Sequence, residues 1–252
     1  MGDATPPRKP CPGRPRRRST MAHAARLAED DPAAFQSYVI VAASAFITLA
    51  VIAHTVPYFP IDLTITRALQ AYHGHLFARG MFWVSWIGFM PQVIFVVLGV
   101  AGALFAAGLR WEGTATLFAA CGALLGSIVK IVVYRPRPSA NLIHVFQQLP
   151  SSGFPSGHVL EFTTFGGFLI FLAFTLLKPS AFRTGLLTAL GLLIGLMGLS
   201  RIYQGQHWFS DVMGAYLFGS LWLMLTIRLY RWGKTRFFPH QPVAPNPARE
   251  EA

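Results

Sequence analysis

Residues 113–138 read GTATLFAACGALLGSIVKIVVYRPRP, an apolar run from Gly113 to Tyr134 with Lys130 as its one charge, followed by Arg135-Pro136-Arg137-Pro138. A helix needs roughly 20 consecutive apolar residues to cross the hydrocarbon core of a bilayer, and this run has that length. Lys130 falls in the last turns, and Pro136 and Pro138 stop the helix beyond it, because proline lacks a backbone N–H and drives the residue before it out of helical geometry. Comparable apolar stretches lie at about 34–56, 82–109, 158–177, 184–200 and 212–230. The chain of 252 residues is 53% hydrophobic and 12% charged, too apolar for an ordinary soluble domain. The sequence therefore predicts an all-α, integral membrane bundle of six transmembrane helices over residues 34–232. The Pro- and Arg-rich residues 1–33 read as a disordered cytoplasmic tail, and 233–252 as a second one.

A net charge of +11 invites a nucleic-acid reading, yet the basic residues follow the membrane pattern instead of forming one continuous patch. Seven precede the first span, Arg110 lies between the second and third, Lys178 and Arg183 between the fourth and fifth, and five run from Arg228 onward. The positive-inside rule then puts both termini in the cytoplasm, with loops 57–80, 135–157 and 201–210 on the outer side of a plasma or inner membrane. No signal peptide is legible at the N-terminus, and Met21 is an alternative start. Cys11 and Cys121 are too differently placed to pair, and Cys121 reads as a small buried residue in a helix interface.

Between the first two spans, Ile61, Ile65, Ala68, Leu69 and Tyr72 recur at helical spacing, which predicts a short helix lying on the outer membrane surface. Pro91 predicts a kink in the second span, and Gly191, Gly195 and Gly198 predict close packing of the fifth.

Six cations remain once the cytoplasmic ones are set aside: Arg67, Arg79, Lys130, Arg135, Arg137 and Arg201. Only three carboxylates, Asp62, Glu161 and Asp211, lie in the embedded and outer portions. A cation at the centre of a membrane helix costs about 2.5–3.5 kcal/mol on insertion scales, so such residues need an anionic partner or water. The excess suits an anion the protein does not supply, and phosphate fits, since Arg binds it as a planar fork and Lys as a point charge. Phe154-Pro155-Ser156-Gly157-His158 opens the fourth span with a capping Ser, a Gly that lets backbone N–H groups approach a ligand, and a His suited to proton transfer near neutrality. Ser200-Arg201 is followed by His207 and Asp211, four apart at the start of the sixth span and on one helical face. A carboxylate on one ring nitrogen fixes the tautomer and frees the other nitrogen to attack phosphorus.

Lys130 with Arg137-Pro138, then Pro155-Ser156-Gly157-His158, then Ser200-Arg201 with His207 and Asp211 resemble the three signature motifs of the type 2 phosphatidic acid phosphatase superfamily. The resemblance spans about residues 60–230 and implies a membrane lipid phosphate phosphatase. It implies that His207 attacks phosphorus to form a phosphohistidine, that Asp211 orients it, and that His158 protonates the leaving oxygen and later activates water. Lys130, Arg137, Ser156, Gly157 and Arg201 would hold the phosphate oxygens, with no metal or other cofactor. Phosphatidic acid, phosphatidylglycerol phosphate and polyprenyl diphosphate all present the same phosphoryl group, so the substrate stays open, as does oligomeric state. The alternatives are a phosphotransferase of the same fold and a non-catalytic lipid-phosphate binding or transport protein.

Two charged residues lie outside those motifs. Glu161, one helical turn after His158, either pairs with a motif cation or tunes His158, or makes a neutral hydrogen bond to a neighbouring helix. Arg135 contacts lipid headgroups or a second phosphate. In loop 139–154, Leu142, Val145, Phe146 and Leu149 line the lipid's way in or pack on the membrane surface.

Overall fold

The computed structural model describes residues 32–237; of the tails expected at 1–33 and 233–252, residues 1–31 and 238–252 lie outside the described residues, while 32–33 and 233–237 are helical. The chain divides into two compact units, residues 1–41 and 42–252. Of the first, only the opening turns of helix α1 (Pro32–Thr55) are described. Beyond Ala42 the helix packs Phe46, Leu49, Ala50 and Ala53 against Val133 and Phe154.

All regular structure among the described residues is helical. After α1 come α2 (Pro60–Gln70), α3 (His75–Ile87), α4 (Met90–Ala106), α5 (Arg110–Ala120) and α6 (Gly122–Val133). A short α7 (Gly157–Glu161) runs through a π-helical turn, Phe162–Gly166, into α8 (Gly167–Leu176), followed by α9 (Ala181–Tyr203) and α10 (Phe209–Phe237). Five stretches are long and apolar enough to cross a membrane: Ala33–Thr55, Arg110–Val133, Gly157–Leu176, Ala181–Tyr203 and Phe209–Phe237. The pair α3 and α4, bent by 61°, supplies the sixth when counted as one span. This is the six-span architecture expected from the sequence. The second span begins earlier than its apolar run suggested, and its break falls at Gly88 and Phe89. Pro91 sits in the first turn of α4, where its missing N–H costs nothing.

The span from Gly157 to Leu176 is central: 67% of its most apolar window is buried, against at most 28% in the other four single spans. Val159, Leu160 and Phe162 pack with Met197 and Ile202 of α9 and Val212 and Ala215 of α10. Thr163 donates its hydroxyl to the Val159 carbonyl and Thr164 to that of Glu161, so both hydroxyls are satisfied within the span. At the end of the molecule marked by Arg110, Lys234 Nζ donates to Glu112 Oε1 at 2.5 Å and the Tyr230 hydroxyl donates to the same oxygen at 3.0 Å, tying α5 to α10.

Three expectations are corrected. Helix α2 exists, but its inward side is mixed: Asp62 and Thr66 are fully buried, Ile65 and Leu69 pack against the core beside them, and Ile61 is exposed. In lipid an apolar side chain loses nothing by facing outward, whereas a carboxylate must reach a partner, so the ion pair decides the orientation. Cys121 is exposed, not buried in an interface. Of the three glycines in the fifth span only Gly198 makes a tight approach, to Tyr216 and Val212; Gly191 and Gly195 face open space.

Candidate active site

The site is assembled at the ends of α6, α7, α9 and α10. Helix α6 closes at Tyr134, whose left-handed backbone (φ 46°) lets its N–H bond back to the Lys130 carbonyl at 3.0 Å and turns the chain out of the helix. Lys130 Nζ donates to the Ser152 carbonyl at 3.0 Å. Arg137 is held on three sides: it donates to the Ser151 carbonyl (2.6 Å), the Ser151 hydroxyl (3.0 Å) and the Gln206 carbonyl (2.7 Å). Ser156, after the cis Phe154–Pro155 bond, precedes the first turn of α7 and donates its N–H to the Asp211 carbonyl at 3.2 Å. His158 follows in that turn, with the edge of Phe89 against its ring at 5.2 Å. Gly88 is what lets it fit, because a Cβ there would collide with His158 Cδ2.

The last turn of helix α9 carries Arg201, which is fully buried and donates to the Ser85 hydroxyl at 2.5 Å. The chain then turns at Gly205, whose φ of +65° and lack of space beside the His144 carbonyl suit only glycine. The turn delivers His207, 1% exposed, just before α10. Its Nδ1 lies 2.7 Å from the Gly153 carbonyl and 3.6 Å from Asp211 Oδ2. Its Nε2 lies 3.2 Å from Arg137 Nη1. A guanidinium can only donate and a carbonyl can only accept, so the proton is on Nδ1 and Nε2 carries the free lone pair. Burial first, then the charges of Arg137, Lys130 and Arg201, push the His207 pKa well below its usual 6.5, against the opposing pull of the Gly153 carbonyl.

Asp211 is held differently from the direct pairing with His207 read from the four-residue spacing. Its Oδ2 accepts from the Trp208 N–H at 2.9 Å, and its Oδ1 accepts from Arg135 Nη1 at 2.6 Å. The Gly153 carbonyl therefore holds the tautomer at short range, with Asp211 one step further out. Arg135 itself is corrected: at 1% exposure it reaches neither headgroups nor a phosphate. It bridges Asp211, the Ser210 hydroxyl (2.7 Å) and Asp62 Oδ2 (3.1 Å), and Asp62 Oδ1 in turn accepts the Ser210 N–H at 2.8 Å. A side-chain network thus links α2, the exit of α6 and the start of α10 behind His207.

Lys130, Arg137, Gly157, His158, Arg201, His207 and Glu161 all line one cavity of about 1060 Å³. Ser156 and Asp211 adjoin lining residues, Gly157 and His207, without lining it themselves. Among the described residues, the buried side-chain atoms with no hydrogen-bond partner include Ser156 Oγ, His158 Nε2 and two nitrogens of Arg201, Nε and Nη2. Such orphans are costly in a low-dielectric interior, and here they gather around three cations, which is the donor set a tetrahedral oxyanion would satisfy. From this polar end the cavity continues between α4 and the α5–α6 span as an apolar groove lined by Ile94, Leu98, Leu117, Cys121, Leu124 and Ile131. Of the four apolar loop residues expected near it, Leu149 lines the cavity while Leu142, Val145 and Phe146 do not.

Sequence reasoning missed the Gly153 carbonyl, the Asp62–Arg135 bridge and Ser85. A backbone oxygen leaves no side-chain signature, and Ser85 is an unmarked residue of an apolar helix. Asp62 was detectable in principle, as one of only three carboxylates in the embedded and outer portions.

Fold and site together define a multi-pass helical membrane protein with a cationic, two-histidine cavity that opens into an apolar groove. A sequence model of the PAP2 superfamily matches residues 111–234, and the chain belongs to that superfamily. Phosphatidylglycerophosphatase B of Bacillus subtilis (strain 168) is 26% identical over 183 residues, which cover 71% of this chain and 88% of that protein. Two crystal structures share the fold. The transmembrane PAP2 type phosphatidylglycerolphosphate phosphatase from Bacillus subtilis has a TM-score of 0.65 at 21% identity, covering 81% of this chain and 98% of that one. LpxE of Aquifex aeolicus has a TM-score of 0.55 at 20% identity, covering 68% and 96%.

Proposed function

We propose that this protein is a lipid phosphatase that works through a phosphohistidine on His207. The observation that carries this reading is a buried imidazole with its lone pair on Nε2, facing a cavity that it shares with His158, Lys130, Arg137 and Arg201. A lipid phosphate entering from the groove would place its phosphoryl oxygens on Lys130, Arg137, Arg201, Ser156 and the Gly157 end of α7, and its chain among the apolar residues below. Taking up the Arg137 guanidinium frees Nε2 to attack phosphorus in line with the ester bond. As the P–O bond breaks, His158 gives its proton to the leaving lipid oxygen. The neutral His158 then takes a proton from water, whose oxygen attacks the phosphohistidine, and inorganic phosphate leaves with His207 restored. The developing charge on the equatorial oxygens is met by donors already in place, the main source of catalysis in phosphoryl transfer. No step of this route calls for a metal.

Phosphatidylglycerol phosphate, phosphatidic acid and polyprenyl diphosphate are the candidate substrates, and the first is supported by the name of the Bacillus subtilis relative. The charge distribution supports a site on the outer face with both termini cytoplasmic.

Phosphate release from these lipids by the purified protein in detergent, with and without chelator, tests the proposal. Release without an added acceptor alcohol is expected and would set aside the phosphotransferase reading. His207→Ala is expected to abolish it, and His158→Ala to lower kcat by roughly 10²–10⁴-fold, with the fold retained in both. Wild-type-like turnover in a folded His207→Ala would overturn the assignment.

A further inference from the structure

Among the described residues, Glu161 is the one carboxylate that lines the cavity, and the phosphatase reading above gives it no task. It is 7% exposed, and among the described residues its carboxyl has no hydrogen bond and no ion pair. Of the three relations expected from the sequence, two are not realised among the described residues: it pairs with no motif cation and bonds to no neighbouring helix. A buried carboxyl without a partner is costly and, in a membrane span, marks a functional position. The π-helical turn begins at the very next residue, a local widening often found at functional sites.

Its position specifies what it could meet. Glu161 stands one helical turn below His158, on the same side of α7, and lines the cavity where the polar end gives way to Ser127, Leu124 and Ile94. The oxygen that leaves phosphorus sits at His158, so the carbons of the lipid next to that oxygen pass Glu161. Ser127 donates its hydroxyl to the Ala123 carbonyl at 3.1 Å and so offers no spare donor there. A carboxyl alone on that stretch of wall accepts a hydrogen bond from the substrate and repels a further anionic oxygen.

We infer that Glu161 is a specificity-determining residue that reads a hydroxyl on the carbon next to the phosphorylated carbon, favouring lipid phosphates with a free glycerol-type hydroxyl there over those with an ester or a hydrocarbon. The inference rests on the proposed phosphatase reading and narrows its substrates. A lysophosphatidate, or a lipid ending in a phosphorylated glycerol, has that hydroxyl. A diacyl phosphatidate and a prenyl diphosphate do not.

The test uses two substrates that differ in one group, 1-oleoyl-glycerol 3-phosphate and its 2-deoxy analogue, 3-oleoyloxypropyl phosphate. Wild-type kcat/KM is expected to favour the hydroxylated lipid by about tenfold or more, because a site built to bond a hydroxyl is left with an unpaired polar group by the analogue. In Glu161→Leu the ratio is expected to fall to near one. In the isosteric Glu161→Gln, which keeps a weaker neutral acceptor, it is expected to fall severalfold, and this variant decides if the leucine variant does not fold. A wild-type ratio near one, or a ratio unchanged in the glutamine variant, overturns the inference. The same ratio read as Kd of the two corresponding phosphonates decides it even if neither lipid is turned over, an outcome that would overturn the proposed activity instead.

Discussion

The two ring nitrogens of His207 meet groups of opposite character, a carbonyl at Nδ1 and a guanidinium at Nε2, and that polarity fixes the tautomer. Burial and three nearby cations also keep the ring neutral. Because its pKa is depressed, the nucleophilic form persists as pH falls through 6.5 and is lost only below. The acidic limb of the kcat/KM profile is therefore expected below pH 6.5, with an NMR titration of His207 in the free protein moving with it; a limb above 6.5 assigned to His207 would contradict this. Arg135 belongs to the same scale. Removing one partner from a buried ion pair leaves an uncompensated charge and costs about 3–5 kcal/mol. Arg135→Gln should therefore lower stability by that order and reduce kcat more than it raises KM, since Arg135 acts on Asp211 and never touches substrate. A double-mutant cycle with Asp62→Asn is expected to be strongly non-additive, and additivity would show that the 3.1 Å contact carries no energy.

At the scale of elements, the break in the second span and the burial of Asp62 and Thr66 on α2 both serve the site. The 61° bend puts Gly88 against His158 and Phe89 beside its ring. Gly88→Ala should displace the imidazole, lowering kcat at least tenfold while detergent melting shows a folded protein; an unchanged kcat would mean that the ring has room to spare. The spans were legible in the sequence because an apolar run of bilayer length has few other readings. Lys130, Arg137, His158, Arg201 and His207 were legible too, as charges and imidazoles placed where a membrane protein tolerates them only for a reason. The orientation of α2 was not. Its 3.6-residue periodicity is the same whichever side faces inward, and its deciding partner, Arg135, lies 73 residues away in the chain. The bend was foreseen at Pro91, but its place at Gly88 depends on tertiary contact with His158.

Over the whole molecule, a polar chamber built from four helix ends leads into a groove between α4 and the α5–α6 span. Leu117 and Lys130 are thirteen positions apart along the span, so the groove reaches roughly 20 Å below Lys130 at 1.5 Å per residue. Cys121, exposed on that wall, marks its deeper part. Cys121→Trp is therefore expected to raise KM severalfold for long-chain lipid phosphates and to leave short-chain ones nearly unaffected; an equal effect on both would mean that the chain lies elsewhere. The central claim concerns the atom that takes the phosphoryl group, and a rapid quench reads it directly. The wild-type protein, mixed with a lipid phosphate carrying radioactive phosphorus and stopped within a turnover, should yield an acid-labile, alkali-stable label on the peptide containing His207. Label on another residue, or label that persists in His207→Ala, would contradict the account.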